Sequence, residues 1–365
     1  MAKAAYIGVN NVARKIKGGY IGVNGVARKI KAAYVGVGGV ARPAWPSGGV
    51  TTFVGSVGSN YSDTIEVTGK TGDYVLAFAG DCTAKALHNS SYTLTNATNW
   101  NTSTSDITTY VGGTSGNGNY AMVGGGWDYD NEKSLSTMFY YNSSLTKSSA
   151  SALRTATEEG GYSWNDSYIL IAGGINESTD YISYVTAYNN SMTRSYGTNL
   201  GEDRYFRSGN RGFKLGSYAI FGRERTYTRD RKAGYMAEAY NTSLTRTELT
   251  IDSGYARVGL GGAQIGSTGL FTEATAAGST STVSSYTTSL TYTKNALSAL
   301  PAFNGFSVTN DLFAVFSNGT ATYNVNPSLT VTAGVNLSTD CQYGGLSLVS
   351  NNTIFARPST SNIPF

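Results

Sequence analysis

Histidine occurs once, at His88, and cysteine twice, at Cys82 and Cys341, in a chain of 365 residues. A metal site or catalytic dyad built on imidazole has almost no material here, and two cysteines make neither a disulfide framework nor a thiolate cage. Two small buried thiols are the plainer expectation. Charge is scarce as well, at 14% of residues, while glycine occurs 45 times. That usage argues against a coiled coil or a helical bundle. No apolar run approaches the roughly 20 residues of a membrane span, so no membrane partner is expected. The opening MAKAAYIGVNNVARKIK lacks the apolar core of a secretory signal, which predicts synthesis in a cytoplasm without a signal peptide.

Catalytic patterns are equally thin. There is no nucleophile elbow, phosphate loop or Asp-box repeat, and Glu158-Glu159 and Asp128-Asp130 are neighbours whose sequence spacing says nothing of a glycosidase pair. Asp128, Asp130 and Glu132 do not follow the EF-hand pattern and read as a solvated turn. The expectation is a protein that is not an enzyme, with no catalytic residue, metal or cofactor.

What is abundant is glycine (45), tyrosine (27), and threonine, serine and asparagine, the usage of many short strands joined by polar turns. The phrase AYNTSLTRT at 239–247 returns as YYNSSLTKS at 140–148, AYNNSMTRS at 187–195, SYTTSLTYT at 285–293, TYNVNPSLTVT at 322–332 and, with His88 in place of Tyr, LHNSSYTLTNA from Leu87. Each reads as strand, tight turn, strand. The key apolar residues Leu94, Leu145, Met192, Leu244, Leu290 and Leu329 lie roughly 40 to 52 residues apart, a period of propeller blades.

Seven apolar strands accompany these six units, among them NYAMVGGG at Asn119, SYILIAGG at Ser167 and SYAIFGRE at Ser217. Continuous apolar runs predict strands covered on both faces. The last, NTIFARP at Asn352, has no tyrosine strand after it. VTTFVGS at Val50 and SDTIEVTG at Ser62 are its candidate partners, closing a ring through the two ends of the chain. Seven blades are preferred, six being the alternative.

Residues 1–42 differ in kind. They carry eight basic groups and no acid, so of the overall net charge of +4 the remainder of the chain holds about −4. Three 14-residue copies begin at Ala5, Gly19 and Ala33, each with two β-prone runs around Asn10-Asn11, Asn24-Gly25 or Gly38-Gly39. Such dipeptides suit two-residue β-hairpins. A lone hairpin is marginal in water, so completion by other copies or by a partner's sheet is expected, with a self-sufficient meander as the alternative. No aromatic stacking platform accompanies the charge, and nucleic acid is not an expected partner. Within ARPAWPSGG, residues 41–49, a linker is expected over 43–49, where Pro43 and Pro46 end pairing.

The tandem phrase YIGVNGVARK resembles N-terminal repeats of structural proteins of tailed bacteriophages. The matching residues are Tyr6, Gly8, Asn10, Arg14, Tyr20, Gly22, Asn24, Arg28, Tyr34, Gly36 and Arg42. The resemblance implies a virion protein, made in the host cytoplasm, whose residues 1–42 bind other virion proteins or copies of themselves. Residues 50–365 resemble a Kelch-type propeller, Gly124-Gly125 with Tyr141 and Gly173-Gly174 with Tyr188 matching best, although the blade tryptophan is absent. The expected fold is therefore all-β, a propeller behind short hairpin repeats. An outward propeller in the tail would bind a host-surface glycan or protein; a capsid decoration, a filament or tail building block, and a glycan-active propeller enzyme are the alternatives.

Candidate ligand residues are few. Trp127 and Trp164, with Trp100, lie near predicted strand ends, where exposed rings would stack on sugars and buried ones would pack. Arg223 and Arg225 belong to an arginine-rich run over 204–232 suited to carboxylate or phosphate, although Glu202, Asp203, Glu224 and Asp230 offer paired surface charge as the plainer reading.

Overall fold

The computed structural model describes residues 6–9, 12–15, 20–23, 26–29, 34–37, 40–43, 50–56, 67–71, 74–78, 82, 84–88, 94–101, 107–108, 119–158, 160–178, 182–201, 212–221, 236–250, 257–274, 281–297, 307–309, 314–318, 321–334, 345–349 and 352–357. Among them every regular element is a strand. The chain divides into two compact units, Met1–Gly48 and Gly49–Phe365.

In the first unit three antiparallel pairs form separate two-stranded sheets: Tyr6–Val9 with Val12–Lys15, Tyr20–Val23 with Val26–Lys29, and Tyr34–Val37 with Val40–Pro43. Arg14, Arg28 and Arg42 hold one register position, opposite Ile7, Ile21 and Val35.

The second unit is a succession of antiparallel meanders. The first sheet comprises Val67–Thr71, Tyr74–Phe78, Ala84–His88 and Leu94–Ala97, and the second Ala121–Gly124, Met138–Tyr141 and Lys147–Ala150. The third comprises Gly161–Trp164, Tyr168–Ala172, Val185–Asn189 and Arg194–Tyr196; the fourth Phe213–Leu215, Tyr218–Phe221, Met236–Tyr240 and Arg246–Thr250. The fifth runs Arg257–Ile265, Thr268–Ala274, Ser281–Thr287 and Tyr292–Leu297, and the sixth Ser307–Thr309, Ala314–Asn318, Ala321–Val325 and Val331–Ala333. In a last sheet Gly345–Val349 pairs with Asn352–Arg357, which pairs in parallel with Val50–Ser56. The two ends of the unit thus meet in one sheet. The stretch from Ser62, by contrast, reaches the first sheet through Val67–Thr71 rather than the last.

Neighbouring sheets touch in chain order. Val67–Thr71 contacts Ala121–Gly124, Gly161–Trp164 contacts Phe213–Leu215, and Phe213–Leu215 contacts Arg257–Ile265. Arg257–Ile265 contacts Ser307–Thr309, which contacts Gly345–Val349, which returns to Val67–Thr71. The architecture is all-β and propeller-like.

Among the described residues the buried apolar side chains fall into separate clusters that fill the seams. Between the second and third sheets Met122 and Met138 meet Tyr162, Ile169, Ile171, Tyr188 and Met192. Between the third and fourth, Leu170, Val185 and Ala187 meet Phe221, Tyr240 and Leu244. Successive side chains of a strand point to opposite faces, so Tyr188 serves one seam and Ala187 the next. Both faces are covered, which is why Ala121–Gly124 is buried throughout and Tyr168–Ala172 nearly so.

The repeated phrase folds as the sequence predicts, strand, turn, strand, with a constraint that its composition hides. Leu145, Met192, Leu244, Leu290 and Leu329 all adopt positive φ, between 57° and 64°. A bulky residue there costs about 1–2 kcal/mol. Burial offsets it, since each of these side chains packs into a seam cluster. The leading asparagine completes the turn: Asn142 Oδ1 accepts the Ser144 and Thr146 amides at 2.9 and 3.0 Å, and Asn189, Asn241 and Asn326 repeat the pattern.

Three expected alignments shift. Leu94 opens a strand opposite Leu87, six residues after His88 instead of the four that separate Tyr141 from Leu145. In the last copy the turn begins at Asn326, so buried Val325 takes the tyrosine position and Tyr323 is only half-buried. The positive-φ glycine pair of the second sheet is Gly125-Gly126 (69° and 95°), matching Gly173-Gly174 (66° and 110°). Gly124 lies in the strand, where a Cβ would collide with the Thr137 carbonyl.

A Cβ at Gly174 would stand 2.5 Å from the Glu158 carbonyl and collide with Thr157 Oγ1, on top of its φ of 110°. Gly174→Ala should therefore lower unfolding free energy by about 3 kcal/mol or more. Gly266, with φ 58° and its nearest neighbour Pro327 Cβ at 3.9 Å, should accept asparagine within about 1 kcal/mol. Urea unfolding of the two variants checks the contrast.

Candidate functional site, an arginine and tyrosine cluster between the second and third sheets

A buried phenol needs an acceptor, and the repeat tyrosines find theirs in the preceding sheet. The Tyr141 hydroxyl donates to the Thr98 carbonyl at 2.5 Å, and Tyr188 to Ser151 at 2.7 Å. Both acceptors lie where the chain leaves the previous sheet. Six residues after each tyrosine a cation makes the same reach: Lys147 Nζ donates to the Asn99 carbonyl at 2.8 Å, and Arg194 to Ala152 at 2.5 Å. Next along this exit segment comes a buried apolar plug, Trp100, Leu153 or Leu200.

The following seam replaces carbonyls by a carboxylate. Glu238, fully buried, accepts the Gly201 amide at 2.9 Å and pairs with Arg246 at 3.3 Å. At the tight-turn end, buried Asn165 accepts the Ser167 and Tyr168 amides through Oδ1 and donates through Nδ2 to the Tyr240 and Asn241 carbonyls. The tight turns of adjacent sheets therefore lie at a common end, and the longer connections at the other.

At that other end, in the seam between the second and third sheets, three segments converge on a basic and aromatic cluster. Arg154 follows the plug Leu153; Tyr184 precedes Val185–Asn189; Tyr196 ends Arg194–Tyr196. The Arg154 guanidinium carbon sits 3.9 Å from the Tyr184 ring centre and 5.4 Å from that of Tyr196, and Arg194 lies 5.2 Å from Tyr196. Arg154 is exposed and Tyr196 is 48% exposed. A guanidinium held against rings by cation–π attraction brings a donor fork suited to carboxylate or phosphate.

Of the residues expected from sequence to bind a ligand, the two described tryptophans lie apart. Trp127, half-buried, opens a two-residue strand between Ile107–Thr108 and Lys133–Ser134, in the long connection of the second sheet. Trp164, also half-buried, sits at the tight-turn end of the third, opposite Ile169. Strand direction puts the two rings at opposite ends. Trp100 is fully buried and packs. Asp128 is buried too, its carboxylate accepting the Asn131 amide and Nδ2 at 3.2 and 2.9 Å. Among the described residues no three His, Cys, Asp or Glu side chains gather as metal ligands. Arg223, Arg225, Asn10, Asn24 and Cys341 lie outside the described residues. Tyr6, Gly8, Arg14, Tyr20, Gly22, Arg28, Tyr34, Gly36 and Arg42 stand in the strand pairs of the first unit.

Arg154, Tyr184 and Tyr196 are absent from the sequence expectations because they fall outside the repeated phrase. A signal exists once copies are aligned on the buried tyrosine: Tyr184 replaces Thr137 and Met236, and Tyr196 replaces Ser149 and Glu248.

No family model matches the chain, and no curated protein matches it. Solved structures do match in fold. One, described as "Structure of YjhT", a β-propeller-type protein, has a TM-score of 0.53 and 9% identity, over 77% of this chain and 99% of that one. Likeness at that identity supports the propeller-like fold alone.

Burial, the first cause, holds the Tyr141 and Tyr188 phenols protonated well above their ordinary value of 10.0; at Tyr188 the Arg194 charge opposes it in part. The unfolded chain ionises these groups first, so their contribution to stability is intact below about pH 10 and is lost as pH climbs from there toward the folded values. Tyr188→Phe should cost about 1 kcal/mol at neutral pH by losing the Ser151 bond. It should also flatten the alkaline fall in stability by up to about 1.4 kcal/mol per pH unit. Urea midpoints from about pH 7 to about pH 11 test this; equal alkaline slopes in the two proteins contradict it.

Proposed function

We propose that this chain is a non-enzymatic structural protein of a tailed-phage virion, tail-associated, with residues 1–42 as the attachment segment and a seven-bladed propeller presented to the host surface. The cluster of exposed Arg154 and Tyr196 with half-buried Tyr184 carries the choice of a binding module over a purely structural block, because it is a polar feature the fold does not use. The phage-like phrase in residues 1–42 supports the virion assignment, and the division after Gly48 supports an attachment segment separate from the displayed unit. In support of seven blades, each meander and the last sheet count once when the small Trp127–Asp128 sheet is taken as part of the second blade. The ligand in this reading is a host-surface glycan.

Deleting residues 1–42 separates attachment from display. The shortened chain should retain cooperative unfolding of the propeller yet fail to enter particles when supplied during infection. Incorporation at wild-type level without those residues would remove the attachment role.

A further inference from the structure

Resting on the reading of the second unit as a binding propeller, we infer that Arg154, Tyr184 and Tyr196 form a recognition site for an anionic saccharide, a sugar bearing carboxylate or phosphate. The site is built from residues that the repeat does not require. At the place of Arg154 the adjoining seams carry Asn101 and Gly201, each the residue after its plug, Trp100 or Leu200. Neither seam carries an arginine at this exit position, and the places of Tyr184 and Tyr196 hold Thr137 and Ser149 in one and Met236 and Glu248 in the other, so the repeat does not require the cluster.

Four basic side chains on the strands of the second, third and fourth sheets are engaged. Arg246 pairs with Glu238 and Glu248, Lys214 with Asp166, and Arg194 and Lys147 with carbonyls. Arg154 alone of these lies on rings only: among the described residues its guanidinium has no carboxylate and no hydrogen-bond acceptor. Its backbone is nonetheless fixed, since the Leu153 amide bonds the Ser136 carbonyl at 2.8 Å and the Arg154 amide bonds Thr186 Oγ1 at 3.4 Å. A donor fork held in place before binding loses little freedom on binding.

The aromatic half selects the ligand. Tyr196 offers an amphipathic ring beside the fork, suited to the apolar C–H face of a sugar. Nucleic acid is the poorer fit: residues 49–365 hold 19 basic against 23 acidic groups, a net −4, whereas a polyanion demands a positive field over many phosphates. One local fork in an acidic unit matches one or two negative charges on a sugar.

Titration of the full chain with a galacturonate oligosaccharide, with glucose 1-phosphate, and with uncharged maltotetraose tests the site. Saturable binding of one or both charged sugars, and none of maltotetraose, is the expected result, and the charged arm that binds identifies the group recognised. Arg154→Ala should weaken that binding at least about tenfold, and Arg154→Lys by less, since an ammonium supplies charge without the planar fork. Tyr196→Ala should weaken it several-fold, all three variants melting as the wild type does. The inference is overturned if maltotetraose binds equally well, if Arg154→Ala binds unchanged, if neither charged sugar binds, or if short duplex DNA binds more tightly than both. Incorporation of the Arg154→Ala chain into particles separates the two proposals. Particles that form with normal content while the wild-type chain ignores both sugars defeat the site and leave the attachment role standing. Sugar binding by a chain that never enters particles does the reverse.

Discussion

Sheets in the second unit depend on hydroxyls that cross from one to the next. A tyrosine buried between two sheets must place its O–H on an acceptor, and at two successive seams that acceptor is a carbonyl on the exit segment of the sheet before. The bond orders the exit segment, which inserts Leu153 or Trp100 as a plug and turns the chain toward its next first strand. Apolar burial supplies the drive and the hydroxyl fixes the register. A sheet taken alone would expose both faces, so the unit of stability is the seam. The positive-φ leucines fit the same logic: strain at a turn tip persists because the strained side chain fills the neighbour's seam.

Much of this was legible in the residues. Asparagine, two small residues, leucine and threonine specify a turn by local hydrogen bonding, and runs such as YILIA specify strands covered on both faces. Closure through Val50–Ser56 followed from counting apolar strands against tyrosine units, and the structure pairs that segment with Asn352–Arg357. The misalignments at Leu94 and Tyr323 came from matching residue types where spacing from the turn asparagine decides. The left-handed backbone at leucine was hidden, since that conformation ordinarily announces itself by glycine or asparagine. Trp127 and Trp164 looked alike because both sit near strand ends, and only strand direction separates them.

Arg154, Tyr184 and Tyr196 escaped for a related reason. Repetition draws attention to what recurs, while a ligand site on a repeated scaffold consists of what departs from it. The seam below Gly201 shows the contrast: there Arg246 meets Glu238 and Glu248, and its charge is consumed within the protein.

Parallel pairing of Val50–Ser56 with Asn352–Arg357 imposes a schedule on biosynthesis. The earliest strand of the unit finds its partner only after some 300 further residues emerge, roughly 15–60 s at ordinary rates of translation. Throughout that interval its backbone edge stands open to any other nascent chain. A ribosome that stalls before residue 352 therefore releases a product with an unsealed edge, which ties the solubility of this protein to the completeness of its message.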